Sequence, residues 1–271
     1  MAPELQRLNL GCGDVFLPGW RNLDFVARPP HVVRHDLRET LPLPAGSCEV
    51  VYHSHVLEHF DRAEAGRFLA ECHRVLAPGG VLRVVVPDLE QKARLYLDRL
   101  AAAAAKPDDP ALAGQHQWMT LEMLDQLARR KAGGEMAPFM RSGQCGEWVR
   151  ARIGDEFDKA AANPETQSQP PPPSLRRMAQ DWLAGRARRR LGLDRSEVDE
   201  AKFRQTGEMH RWMYDRVSLS TLLNAIGFTD VTVVQADVSR IRDWSGNGRY
   251  LDIGPAGLRR PDSLFIEALR P

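Results

Sequence analysis

The sequence predicts an α/β fold, a doubly wound sheet carrying a mainly helical insertion, and three observations support it. Short apolar runs alternate with turns and one amphipathic helix up to about residue 88. A strand-like run, Leu8-Asn9-Leu10, leads into Gly11-Cys12-Gly13, and the next run ends near Asp24. The β-branched run Val81-Leu82-Arg83-Val84-Val85-Val86 has the apolar character of an interior parallel strand.

Taken in order, Leu8 to Leu10 is the first strand, Arg21 to Phe25 the second, His31 to His35 the third and Glu49 to Tyr52 the fourth. Ala63 to Leu76 spaces Phe68, Leu69, Cys72, Val75 and Leu76 at a helical period, and Pro78-Gly79-Gly80 should stop that helix. Val81 to Val86 follows as the fifth strand, closed by Pro87. From Asp88 to about Arg216 the character changes. Leu89 to Ala105 reads as a helix rich in alanine and leucine, and Trp118 to Lys131 as another, stopped by Gly133-Gly134. Pro170 to Pro173 should form a stiff connector within a polar, mobile segment over 163–174. Arg176 to Leu191 is a basic helical pattern, read as a solvated face, with an anionic substrate or partner as the sharper reading. Ser218 should cap a helix carrying Leu219, Leu222, Leu223 and Ile226, ended by Gly227. Val231 to Val234 and Ser263 to Leu269 are the last strands, the final one alternating through Leu264, Ile266 and Ala268.

Composition narrows the class. The chain has 271 residues, 43% hydrophobic and 27% charged, enough for one large domain or a core with an insertion. A formal charge of +1 gives no reason to expect a nucleic acid or a membrane surface as partner. Cys12, Cys48, Cys72 and Cys145 contain no Cys-x-x-Cys pair and read as reduced thiols, which predicts a cytoplasmic protein. Met1 to Leu10 lacks a basic start and a long apolar run, so no signal peptide is expected, and no stretch approaches the roughly 20 apolar residues of a membrane helix.

The Leu8 to Asp24 stretch suits a nucleoside cofactor. Glycines let backbone approach a ligand closely, and a carboxylate at the next strand end can accept from both ribose hydroxyls. His53, His55 and His59 follow the fourth strand, and an imidazole titrates near neutral pH, so His55 or His53 is a candidate general base. Cys12 reads as a small packing residue rather than a nucleophile.

Leu8 to Gly13, Asn22-Leu23-Asp24, His35-Asp36-Leu37, Glu49 to His59 and Leu76 to Leu82 occur in this order, closed by Gly227-Phe228-Thr229-Asp230-Val231. This series resembles the class I S-adenosylmethionine-dependent methyltransferases. His210 to Arg216 and Pro261 to Leu264, with the Gly-Cys-Gly to Pro-Gly-Trp spacing, are similar to a narrower group of small methyltransferases associated with glycan biosynthesis. The resemblance covers about residues 7–100 and 206–270.

The resemblance implies a doubly wound, seven-stranded Rossmann-like sheet whose last strand is antiparallel. Residues 1–88 and 217–271 would form the cofactor-binding core, and 89–216 a helical insertion acting as an acceptor-binding lid over the C-terminal strand edge. The implied cofactor is S-adenosylmethionine, with S-adenosylhomocysteine as product. Leu10, Gly11, Cys12 and Gly13 would lie beside its methionine part, and Asp24 would bind the ribose. Asp36 would accept from the adenine amino group, Leu37 would cover the ring, and Ser54 and His55 would complete the wall. His55, His53 or His210 would act as base, with His59, Trp212 and Tyr214 in the acceptor pocket and no metal ligands. The implied acceptor is a small molecule, a sugar or other polar hydroxyl compound.

The chain departs from that family at two points. Asn9 stands where an acid is usual and a third glycine is missing. Few residues separate Gly13 from Asp24, so the first helix must be shortened or replaced by the Phe16 to Trp20 loop. Two other functions fit parts of the sequence. One is a non-catalytic regulatory subunit that binds the same cofactor. The other is a zinc metalloprotease, because His55-Val56-Leu57-Glu58-His59 matches a His-x-x-Glu-His motif that would need to sit within a helix.

Overall fold

The structure is a computed structural model that describes residues 5–162, 200, 203, 204 and 207–271. The polar segment 163–174 and the basic pattern 176–191 lie outside the described residues.

The first half of the chain supplies β1 (Gln6–Leu10), β2 (Arg21–Asp24), β3 (Val32–Arg34), β4 (Cys48–Ser54), α1 (Arg62–Val75) and β5 (Leu76–Pro87). Among the described residues, helices α2 (Leu89–Ala105), α3 (Pro110–Ala128), α4 (Met136–Arg141), α5 (Gly146–Ile153) and α6 (Asp155–Ala162) follow. The chain then returns through α7 (Arg216–Ile226), β6 (Thr229–Val234), a short hairpin of β7 (Ile253–Gly254) and β8 (Gly257–Leu258), and β9 (Ser263–Leu269). The main sheet has seven strands in the order β3-β2-β1-β4-β5-β9-β6. Strands β1 to β5 pair in parallel, and β9 runs antiparallel between β5 and β6. The predicted doubly wound sheet with an antiparallel final strand is therefore present.

Three local expectations are corrected. Pro78-Gly79-Gly80 does not separate helix from strand. Strand β5 begins at Leu76, directly after α1, and its pairing with β4 shifts register between Cys48 and Val50. Helix α7 is capped by Asp215 rather than Ser218, because a carboxylate can accept two backbone N–H groups, here those of Val217 at 2.9 Å and Ser218 at 2.8 Å. Ser218 instead closes the capping box, its hydroxyl accepting from the Asp215 N–H at 3.0 Å. Finally, β9 is buried on both faces, not on the one its alternation marks.

The second face of β9 is covered by the loop between β6 and β7, and Arg83 holds that loop down. Its side chain is fully buried. It donates from Nε to Asp252 Oδ2 at 2.9 Å and from Nη1 to Glu267 Oε1 at 2.8 Å. It also donates to the carbonyls of Val238 and Ala236 and lies over the Trp244 ring at 4.3 Å. Both carboxylates are themselves buried, so each needs the guanidinium. A second buried network ties the inserted helices to the start of β9. Lys92 on α2 bridges Glu122 on α3 at 3.3 Å and Asp262 at 2.9 Å, and Arg152 on α5 joins Glu122 at 2.6 Å.

Arg83→Met leaves two buried carboxylates with their cation gone and should lower the unfolding free energy by about 3–5 kcal/mol. Urea denaturation reads this directly. A loss under about 1 kcal/mol would mean that the carboxylates reach solvent in the native state.

Candidate functional site

The strand ends of β1, β2 and β4 meet at one edge of the sheet. After β1, Gly11 (φ +62°) and Gly13 (φ +52°) both adopt left-handed backbone. A Cβ on Gly11 would stand 2.3 Å from Val56 Cγ2, whereas one on Gly13 would meet no atom within 4 Å. The first glycine thus permits close packing inside the protein, and the second faces open space. Asp24, at the end of β2, accepts from the Gly13 N–H at 2.9 Å and from the Val26 N–H at 2.8 Å, one bond per oxygen. Each oxygen keeps a further lone pair for a ligand donor.

No helix forms between β1 and β2, as the short spacing requires. Two buried amides organise the loop instead. Asn9 Nδ2 donates to Val15 O at 3.1 Å and to Asn22 Oδ1 at 3.1 Å. Asn22 Nδ2 in turn reaches the carbonyls of Leu17 at 3.2 Å and Trp20 at 3.0 Å. An aspartate at position 9 has no donor and could not make these bonds. The departure at Asn9 and the shortened connection are one feature. Asn9 Oδ1 is left buried with no partner, on the wall of the adjoining cavity.

That cavity, of about 150 Å³, is lined by Asn9, Gly11, Gly13, Tyr52, Ser54 and His55, with Arg259 and Lys159 above them. It is smaller than the roughly 300–1,000 Å³ typical of small-molecule sites. The loop after β8 and helix α6 close over it, through Arg259–Asp155 at 2.5 Å and an Arg260–Glu156 pair. A second cavity, of about 810 Å³, is lined by His55, Glu58, His59, Gln126, Arg129 and His210, among others. His55, Lys159 and Arg260 line both.

The second cavity is organised around Glu58. The carboxylate is fully buried, and neither oxygen accepts a hydrogen bond of good geometry. Three imidazoles approach it. His55, at left-handed φ 54°, places Nδ1 3.2 Å from Glu58 Oε1 and Nε2 2.8 Å from the Ser263 hydroxyl. His210 Nε2 stands 4.0 Å from the same oxygen, and the His59 and His210 rings meet edge to face at 4.9 Å. Burial alone would raise the Glu58 carboxyl. The His55 contact and the charge of the surrounding imidazoles outweigh it and hold the group down at about 2. Burial pushes His210 down to about 3, against the pull of Glu58. The Ser263–His55–Glu58 sequence has the connectivity of a nucleophilic triad, but Ser263 lines neither cavity, so its hydroxyl serves to hold His55.

The strand order, with its single antiparallel strand, and the ligand edge beyond the parallel strands decide the fold type. The fold is that of the class I methyltransferases. Residues 21–84 match the family model described as a methyltransferase domain. A Mycolicibacterium smegmatis protein named as a probable S-adenosylmethionine-dependent methyltransferase is 47% identical over 64 residues, 23% of this chain and 24% of that protein. Among solved structures, an Archaeoglobus fulgidus SAM-dependent methyltransferase is 14% identical, over 98% of this chain and 86% of that one, with a TM-score of 0.41. A Mesorhizobium loti S-adenosylmethionine-dependent methyltransferase is 14% identical, over 98% and 91%, with a TM-score of 0.38. Superpositions at that level are loose, and the strand order identifies the methyltransferase fold without them. S-adenosylmethionine, with S-adenosylhomocysteine as its demethylated product, is the cofactor that this fold and the matched segment support. The residues present suit it: a free backbone face at Gly13, an ionisable acceptor at Asp24 and an unpaired acceptor at Asn9 Oδ1.

Of the residues predicted from sequence, Gly11, Cys12, Gly13, Ser54 and His55 line the smaller cavity, and His55, His59 and His210 the larger. Burial pushes the Cys12 thiol up to about 12, which suits packing and not nucleophilic attack. Leu10 is fully buried in the core. Leu37 packs on the core beside Gly11, and Asp36 accepts from the Arg38 N–H at 3.0 Å; neither lines either cavity. His53 is not brought to the site. It is fully buried, edge-on to Phe68 at 5.1 Å, and neither ring nitrogen has a partner. Tyr214 is a core residue, and Trp212 lies outside both cavities under Arg62. Sequence reasoning missed Lys159, Arg259 and Arg260, and gave Glu58 a chemical role only within the protease motif. That motif is not helical: Leu57–His59 is a single 3-10 turn after the strand end. The adjacent arginines before Pro261-Asp262 were the one available signal for the covering loop.

Burial pushes His53 down to about 4. An unfolded histidine titrates near 6.5, so below that pH the unfolded chain binds protons that buried His53 and His210 refuse. Stability should be level above about pH 6.5 and fall toward about pH 4, by up to about 1.4 kcal/mol per pH unit for each histidine. His53→Leu removes one of these contributions without breaking a hydrogen bond. Urea midpoints at about pH 7 and about pH 4.5 should show a smaller acid loss in the variant, and an unchanged loss would contradict the burial of a neutral His53.

Proposed function

We propose that this chain is an S-adenosylmethionine-dependent methyltransferase acting on a hydroxyl of a small polar acceptor, of which a sugar is the leading class. The observation that carries the reading is that His55 lines both cavities, one shared with Gly11 and with Gly13, whose N–H donates to Asp24, and the other carrying Gln126, Arg129, Arg141 and Lys159. When bound, the cofactor supplies a sulfonium methyl whose C–S bond breaks as the C–O bond forms, its electron pair returning to sulfur. Asp24 holds the ribose, Asn9 Oδ1 accepts from the amino group, and the Gly11 to Gly13 backbone fits the methionine part. Arg259 and Arg260 separate from Asp155 and Glu156 to admit the ligand.

In the second cavity, Gln126, Arg129, Arg141 and Lys159 favour an oxygen-rich acceptor, and the resemblance to glycan-associated enzymes favours a sugar. The insertion helices α3, α4 and α6 form that wall and act as the acceptor-binding lid. His55 Nε2 takes the hydroxyl proton after releasing Ser263, and the Glu58 carboxylate stabilises the imidazolium. His210 and His59 shape the acceptor side. Closure excludes water and aligns the two reactants, which is the main catalytic need when charge is lost in the transition state.

Calorimetry with S-adenosylhomocysteine tests the cofactor half of the proposal. Binding should be measurable and weaken at least tenfold, roughly the value of a charge-assisted bond, in Asp24→Ala. Undetectable binding, or equal binding by the variant, would overturn it. With an accepted substrate in hand, His55→Gln should lower kcat by about 10²–10⁴. S-adenosylhomocysteine affinity should change far less, and an undiminished kcat would remove His55 as base.

A further inference from the structure

We propose that Glu58, His59 and His210 bind one divalent first-row transition-metal cation, with its open coordination positions facing the larger cavity. Ligand atoms of these three side chains lie within 4.8 Å of one another. Donors about 2.1 Å from a shared cation can be at most about 4.2 Å apart, so shifts of well under an ångström per side chain complete the site. His210 Nε2 and Glu58 Oε1, at 4.0 Å, already meet that limit.

Two further features point to a cation. Glu58 is fully buried, yet neither oxygen accepts a well-formed hydrogen bond. Its nearest donor, His55 Nδ1 at 3.2 Å, makes no well-formed bond to it, and metal coordination is one of the few ways to offset such burial. Secondly, His59 Nδ1 lies 3.2 Å from the Met209 carbonyl, which can only accept. The proton is therefore on Nδ1, and Nε2 presents its lone pair, the arrangement in which a backbone carbonyl orients a ligating histidine.

Two imidazoles and one carboxylate suit Zn²⁺, Co²⁺, Mn²⁺ or Fe²⁺ better than Mg²⁺ or Ca²⁺, which favour oxygen shells. Three protein ligands leave positions open, and all three residues line the cavity of about 810 Å³. An oxygen-bearing acceptor is the class of ligand that would fill them. This is not the protease arrangement. His55 is turned to Ser263 and Glu58, and Glu58 becomes a ligand instead of a base. The role on the acceptor rests on the methyl-transfer reading above, but the existence of the site does not.

The test uses the full chain, untagged and stripped with chelator. Co²⁺ titration followed by ligand-field absorption, and Zn²⁺ titration by calorimetry, should each saturate at one equivalent. His59→Gln and His210→Gln should each weaken binding at least about 100-fold, beyond the loss typical of an outer partner. Circular dichroism and S-adenosylhomocysteine binding report whether each variant is folded. Should a variant fail to fold, Co²⁺-induced shifts of the His59 and His210 imidazole resonances in the native chain read the same contact. No stoichiometric uptake, equal uptake by folded variants, or unshifted resonances would each overturn the site. Cofactor binding without metal uptake removes the metal and leaves the methyltransferase reading; metal uptake without cofactor binding does the reverse.

Discussion

A carboxylate with no solvent exposure sits at the C-terminal edge of the sheet, and much of the site follows from the need to accommodate Glu58. Its side chain draws His55, His59 and His210 around it. Its backbone carbonyl accepts from the N–H groups of Arg211 at 2.6 Å and Trp212 at 3.3 Å. One residue therefore fixes both the histidine cluster and the point where the insertion returns to the core. The left-handed turn at His55 makes this possible, because it ends β4 and swings the next turn across the strand edge. That turn is strained for a residue with a side chain, and the contacts of His55 to Ser263 and Glu58 hold it.

The same logic governs the loop beside it. A chain with too few residues for a crossover helix must satisfy its buried polar groups in another way. Asn9 and Asn22 do so by donating amide protons to the loop carbonyls. The edge proposed to hold the cofactor therefore has no crossover helix after β1 and presents side-chain amides, glycine backbone and Asp24. Arg83 and Lys92 play matching parts elsewhere, each a buried cation that fastens an irregular segment to regular elements.

Strands, helix periods and glycine positions were legible in the sequence because each follows from local periodicity or backbone freedom. Leu89 to Ala105 was bounded correctly, and the missing first helix followed from counting residues between Gly13 and Asp24. What escaped reading depended on partners distant in the chain. Arg83 sits within a β-branched run, and nothing local reveals that Asp252 and Glu267 will bury it. His53 and His55 look equivalent in sequence, yet one points into the core against Phe68 and the other toward the cavities. Glu58 and His210 are far apart in the chain, so their approach is a product of topology alone. Arg259 and Arg260 could be seen only as a charged pair until α6 was placed over the strand ends.

A structure of the chain with S-adenosylhomocysteine bound is the decisive experiment. The expected result is ribose hydroxyls on Asp24, the amino group near Asn9 and the sulfur turned toward His55, with the Arg259 loop and α6 parted. The sheet also has a cavity of about 1500 Å³ at its opposite edge, lined by Gln6, Trp20, Arg21 and Glu49. Ligand bound there, with Asp24 and His55 untouched, would contradict the assignment.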